Sequence, residues 1–187
     1  MQIRLFLNLL SRIFIRLRSI FLVFWYAFYY GVSFGKNVRI YSKIKIYGFG
    51  KIYIGDNVVF GSKSVLGTTN KLATIKIGNN SFINGTVICA AKDVEIGKNC
   101  ILSDCEIMDT SSHGIAASKR NDSKAVKIVP ITIQDNCWIG SKVIVLPGVR
   151  IGENSIIGVN SVVSKNIPSN VFAAGVPAVV IKEVDYD

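Results

Sequence analysis

The single histidine of this 187-residue chain, His113, stands at a break between two kinds of sequence. Before it, Ile107-Met108-Asp109-Thr110-Ser111-Ser112 ends a run of regular apolar spacing. After it, Gly114 to Lys127 holds Lys119, Arg120, Asn121, Asp122, Ser123 and Lys124 and has no period. An imidazole can take a proton from a hydroxyl at working pH without a metal, so His113 is a candidate general base. Asp109 either accepts a hydrogen bond from His113, favouring the imidazolium during transfer, or is a solvated corner carboxylate. The four cysteines, Cys89, Cys100, Cys105 and Cys137, have no C-x-x-C spacing and read as small core fillers; free buried thiols fit a reducing cytoplasm. One histidine excludes a multi-histidine zinc site, and neither a glycine-rich phosphate loop nor a Ser-His-Asp order is present.

The elements that must position these groups are written in a period of six. From Ile133 to Pro168 the first positions are Ile133, Ile139, Val145, Ile151, Ile157 and Val163, and the fifth positions are Cys137, Val143, Val149, Ser155, Ser161 and Ile167. Six fits neither a helix nor a long alternating strand, but it suits short strands joined by tight corners, three of which close an eighteen-residue coil. Stacked coils cap one another's backbone groups and apolar plugs at about 4.8 Å. The pattern begins at Phe34-Gly35-Lys36-Asn37-Val38, loosens across Leu66 to Thr74 and breaks only at His113 to Pro130. It implies an all-β coil of about eight turns over residues 34–182, a loop at 114–130 and an acidic tail at 183–187. An isolated loop leaving a regular solenoid costs ordering entropy and tends to carry function.

Half of the chain is hydrophobic, 18% is charged and the net charge is +10, so a continuous core is expected and general disorder is not. The first 55 residues hold nine basic residues and no acidic one, which leaves the remainder near neutral. That asymmetry argues for docking on an anionic surface, a membrane rather than nucleic acid. Residues 1–33 form a basic, aromatic segment. Arg4, Asn8, Ser11, Arg12, Arg16 and Ser19 draw a narrow polar stripe at helical spacing, and Phe21, Phe24, Trp25, Tyr26, Phe28, Tyr29 and Tyr30 follow. Bulky aromatics in the would-be cleavage zone argue against a signal peptide. The expectation is a retained helix, or two, lying in the cytoplasmic membrane interface with its arginines toward lipid phosphates. The alternative is a helix packed on the protein's own coil or on a neighbouring subunit.

With Asp109 and His113 on one side of the loop and Asn136-Cys137-Trp138-Ile139-Gly140 on the other, the chain resembles the hexapeptide-repeat acyltransferases, in particular the O-acetyltransferases of surface polysaccharides. The resemblance covers roughly residues 34–182. It implies a left-handed parallel β-helix and a homotrimer whose sites lie between subunits, with acetyl-CoA as acyl donor, no metal and His113 as general base. Ser141 matches the family position whose amide faces the thioester, and Gly140 with Ser141 are candidates for the oxyanion donors. Asn84 matches an asparagine that holds the acceptor, though it is equally an ordinary corner residue. Gly158-Val159-Asn160-Ser161-Val162-Val163-Ser164-Lys165 resembles the segment that lines the cofactor, so Val159, Ser164, Lys165 and Lys182 are assigned to CoA. Val159 and Ser164 depart mildly from the usual residues, and Val179 stands where the family carries a basic one. Trp138 is either a platform for a sugar or pantetheine or a filler at a subunit seam.

Taken with the basic N-terminus, the resemblance implies O-acetylation of a sugar hydroxyl on a lipid-linked saccharide at the inner face of the cytoplasmic membrane, as in lipopolysaccharide, capsule or exopolysaccharide synthesis. Acetylation of a small soluble acceptor, transfer to an amine and a non-catalytic membrane scaffold are the competing expectations.

Overall fold

The computed structural model describes residues 2–185. The side chains of Arg4, Asn8, Ser11 and Arg12 in the polar stripe, and Tyr186 and Asp187 of the tail, lie outside the described part. A single helix, α1 (Gln2–Tyr30), precedes a parallel β solenoid with three faces. Face A carries Ser33–Phe34, Lys51–Ile54, Thr74–Ile77, Asp93–Ile96, Ile131–Ile133 and Arg150–Ile151. Face B carries Arg39–Ile40, Val59–Phe60, Phe82–Asn84, Ile101–Ser103, Trp138–Ile139, Ile156–Ile157 and Val171–Gly175. Face C carries Ile44–Tyr47, Ser64–Thr68, Val87–Ala90, Glu106–Met108, Ile144–Val145 and Val162–Val163.

The period of six becomes three inward columns. Phe34, Ile54, Ile77, Ile96, Ile133 and Ile151 stack on face A, and Ile46, Leu66, Ile88, Ile107, Val145 and Val163 on face C. Face B stacks Ile40, Phe60, Ile83, Leu102, Ile139, Ile157 and Ala173. Almost all of these side chains are removed from solvent, so each coil supplies the floor of the next. The fifth hexad position turns into the solenoid beside a corner, where Cys100, Cys105, Cys137, Ser155 and Ser161 are buried. Cys89 is the half-buried exception and lies 2.8 Å from the Tyr47 hydroxyl.

The corner between faces A and B is a ladder of asparagines. Asn37, Asn57, Asn80, Asn99, Asn136, Asn154 and Asn170 all have φ near +60°, a conformation asparagine tolerates better than most residues. Each side-chain N–H donates to the next Oδ1 along the stack, from Asn37 to Asn57 at 3.3 Å through to Asn154 to Asn170 at 2.7 Å.

One detail corrects the sequence reading. The solenoid closes about seven coils, not eight. After Val162–Val163 the chain makes one bridge at Ile167, and Val171–Gly175 then pairs antiparallel with Ala178–Glu183, so the last stretch is a hairpin on face B and not a coil. The N-terminal segment is one helix, and it packs on the solenoid. Leu22 and Tyr26 join the core, Ser19 Oγ accepts from Ile40 N–H at 3.0 Å, and the Tyr26 hydroxyl accepts from Ile44 N–H at 2.9 Å. Those amides sit on the open edge of the first coil, so two side chains supply the partners that an earlier coil would have given. The other face of α1 leaves Phe21, Phe24, Trp25 and Phe28 exposed, Phe28 by 88%.

Candidate active site

His113 sits on an excursion from the corner between faces C and A. Thr110–Gly114 leaves the fourth coil and pairs antiparallel with Val126–Ile128, with two 3-10 turns at Ala117–Lys119 and Ser123–Ala125 between them. The loop expected at 114–130 is therefore a hairpin whose first strand carries the histidine. Asp122 caps the second turn by accepting from Lys124 N–H at 2.9 Å. Gly114 is buried where a Cβ would strike the carbonyl of Lys119, so only glycine lets the chain fold back so tightly.

That fold-back sets the imidazole. His113 Nδ1 lies 3.2 Å from the backbone carbonyl of Arg120, an acceptor only, so the contact favours the tautomer with its proton on Nδ1 and the Nε2 lone pair free. The backbone of His113 is held too. Its carbonyl accepts from Ser111 Oγ at 2.7 Å, and that hydroxyl accepts from Lys127 N–H at 3.1 Å on the opposite strand. The imidazole is exposed, which is compatible with the general-base expectation.

Asp109 takes neither role expected of it. It is fully buried, and its carboxylate accepts from the backbone N–H groups of Ala91 (2.6 Å), Lys92 (2.7 Å) and Asp93 (2.9 Å). Its own carbonyl accepts from Val129 N–H at 2.9 Å. Asp109 thus pins the corner from which the excursion leaves and to which it returns, one coil above the amides it binds. Burial of the carboxyl group is tolerated because three donors replace its water.

The remaining candidates divide between two corners. Asn84, Gly140, Ser141 and Val159 lie at the corner between faces B and C, whereas Asp109, His113, Ser164 and Lys165 belong to the corner between C and A. Asn84 Oδ1 accepts from Ser62 N–H at 2.8 Å, a corner bond that leaves its NH₂ group for other work. The Gly140 amide donates to Ile157 O at 2.9 Å in the inter-coil ladder and is not available as an oxyanion donor. No bond to the Ser141 amide is present among the described residues, so the oxyanion expectation narrows to Ser141. Beside these residues a depression of about 180 Å³ is lined by Gly85, Asp104 and Lys142, the last two ion-paired at 2.7 Å. Trp138 projects from face B, half exposed, stacked between Ile101 and Ile156. Lys182 lies on the terminal hairpin opposite Phe172. No hydrogen bond joins His113 to Asn84, Asp109 or Ser141 among the described residues.

Sequence reasoning missed the Arg120 carbonyl and the Ser111 bracket. The first is a backbone atom that any residue type would supply. Thr110-Ser111-Ser112 did carry a signal, since clustered hydroxyls beside a break in period favour turns bonded to the main chain.

Residues 130–165 match the model of bacterial transferase hexapeptide (six repeats), and residues 51–69 match the hexapeptide repeat of succinyl-transferase. These two stretches carry the hexapeptide repeat of bacterial transferases. It is 40% identical over 114 residues to the galactoside O-acetyltransferase of Escherichia coli K12, a match covering 60% of this chain and 56% of that protein. Among solved structures it is similar to the polysialic acid O-acetyltransferase OatWY, with a TM-score of 0.72, 26% identity, and coverage of 83% of this chain and 76% of that one. It is also similar to AntD, an N-acyltransferase from Bacillus cereus solved with a dTDP-amino sugar and coenzyme A. There the TM-score is 0.71, the identity 26%, and the coverage 82% and 84%. The chain spans about half the length of the curated relatives it matches. Among the described residues no three His, Cys, Asp or Glu side chains are grouped to hold a metal ion.

Proposed function

We propose that the protein is an acetyl-CoA-dependent O-acetyltransferase of a saccharide hydroxyl. The observation that carries this reading is the His113 imidazole, held through Nδ1 by the Arg120 carbonyl on the one excursion from a hexapeptide-repeat transferase solenoid. Nε2 removes the proton of the acceptor hydroxyl, and the oxygen attacks the thioester carbonyl of acetyl-CoA. The tetrahedral oxyanion is met by the Ser141 amide. Collapse breaks the C–S bond, and the imidazolium returns its proton to the leaving thiolate, giving the acetyl ester and CoA thiol. Asn84 orients the acceptor, while Trp138, Val159, Ser164, Lys165 and Lys182 line the CoA path. Asp109 serves as a positioning residue.

The functional groups hang from two different corners, which supports a homotrimer in which His113 of one subunit faces Asn84 and Ser141 of the next. The exposed aromatic face of α1 and the basic first third support peripheral binding to the inner face of the cytoplasmic membrane, and with it a lipid-linked saccharide as acceptor. The stretch Ile13–Tyr30 is long and apolar enough to cross a membrane by length and composition. Ser19 and Tyr26, however, tie that stretch to the first coil, which favours lying in the interface over spanning. Amine transfer is the second reading, favoured by the similarity to an N-acyltransferase, since the same base serves an amine.

The test is release of free thiol from acetyl-CoA with a panel of saccharide acceptors, alongside calorimetric titration of CoA. His113→Ala is expected to bind CoA like the wild type and to lose about 10²–10⁴-fold in kcat. If neither protein binds CoA, the transferase reading fails. Turnover restricted to amino sugars would move the assignment to N-acylation.

A further inference from the structure

Where α1 crosses the first coil it leaves a cleft of about 440 Å³. Arg16, Ser19 and Ile20 of the helix form one wall, and Asn37, Arg39 and Asn57 of the first two coils form the other. Ser19 is engaged with Ile40. The amide groups of Asn37 and Asn57 donate along the asparagine ladder. That leaves the two guanidinium groups as the charged donors of the cleft.

Neither arginine has a carboxylate partner among the described residues, whose one ion pair is Lys142–Asp104 at the far corner. Residues 1–55 contain no acid, and the nearest one in sequence, Asp56, accepts from Lys36 N–H. Two unpaired cations on one cleft repel each other, a cost that a bound dianion or diester removes. The guanidinium fork matches phosphate oxygens better than any other side chain does. The surface beside the cleft is apolar. Arg16, Ile20 and Phe24 follow one another at steps of four along α1, and Leu17 and Phe21 flank them, all exposed. A charged slot that runs out onto an aliphatic and aromatic stripe has the polarity of a lipid, head in the slot and chains along the stripe.

We propose that this cleft is a binding site for the phosphate of an anionic membrane phospholipid, clamped between Arg16 of the helix and Arg39 of the solenoid. The proposal rests on the membrane reading above and makes it specific. The lipid is held by a defined pair from two elements, beyond the general attraction of a basic surface. It follows that a bound lipid ties α1 to the first coil and fixes how the solenoid axis meets the bilayer.

The test is co-sedimentation of the full-length protein with vesicles of phosphatidylcholine alone and of phosphatidylcholine containing phosphatidylglycerol. The proteins compared are the wild type, Arg16→Gln with Arg39→Gln, and Lys43→Gln with Lys45→Gln. The lysine pair removes the same charge from exposed positions of the same first coil, outside the cleft. Each arginine is expected to account for more than the roughly fivefold that any basic residue near the surface contributes, so the arginine pair loses more than about 30-fold in affinity for the anionic vesicles. The lysine pair loses severalfold less, and circular dichroism melts confirm that all three fold. Equal losses for the two pairs would overturn the cleft while leaving membrane binding intact. A wild type that sediments with neither vesicle would overturn the membrane reading and the cleft together. If the vesicles do not distinguish the variants but inorganic phosphate raises the melting temperature of the wild type and not of the arginine pair, the site takes a soluble anion and the lipid assignment is wrong.

Discussion

At the scale of single residues, the site depends on atoms that hold other atoms still. Asp109 touches no reacting group, yet three amides one coil below converge on its carboxylate, and both ends of the His113 hairpin start from its backbone. Asp109→Asn presents an NH₂ to one of those amides and is expected to cost about 1–3 kcal/mol, visible as a drop of several degrees in Tm. Because the effect on chemistry is through position, kcat falls while KM for acetyl-CoA and the shape of the pH–rate profile stay as they are. A displaced limb of that profile would instead mean direct contact with His113. The sequence marked His113 through its isolation and the break in period. The partners of Asp109 were not legible, because the amides of Ala91, Lys92 and Asp93 are backbone groups whose residue types say nothing about where they point.

At the scale of elements, the inward columns were legible because a period of six can satisfy three buried faces only if each plug repeats. The helix was half legible. Its aromatic face and spacing were plain, but its role on the first coil rests on hydroxyls bonded to the main chain, Ser19 to Ile40 and Tyr26 to Ile44. These make α1 a cover for an open strand edge, with its exposed aromatic side chains on the opposite face. Deleting residues 1–30 is therefore expected to produce self-association and a lowered solubility at any lipid concentration, measured by light scattering. Phe24→Ser with Phe28→Ser, both on the exposed face, leaves scattering unchanged and weakens vesicle binding alone. Scattering that rises equally in both variants would argue that the exposed face, and not the strand edge, drives association. The coil count came out one too high because the last apolar spacings, Val171 to Ile181, suit a hairpin as well as a coil.

For the whole molecule, the division of the candidate residues between two corners sets up a test that no single-chain property can imitate. His113→Ala and Asn84→Ala are each expected to be nearly inactive. Unfolded together and reassembled at equal concentration, they should regain about a quarter of wild-type activity, because a site between two subunits then draws a sound residue from each with that frequency. Sites complete within one subunit would regain nothing. The expectation of a site between subunits comes only from the family resemblance, since a repeat of six specifies how a coil stacks on itself and says nothing about its neighbours.

The asparagine ladder has a direction. Every link donates from the earlier coil to the later one, so the amide dipoles add along the corner, with the carbonyl of Asn37 at one end and the NH₂ of Asn170 at the other. The solenoid is thereby polarised along its axis. Its electronegative pole lies at the Asn37 end, on the wall of the cleft that Arg16 and Arg39 also line.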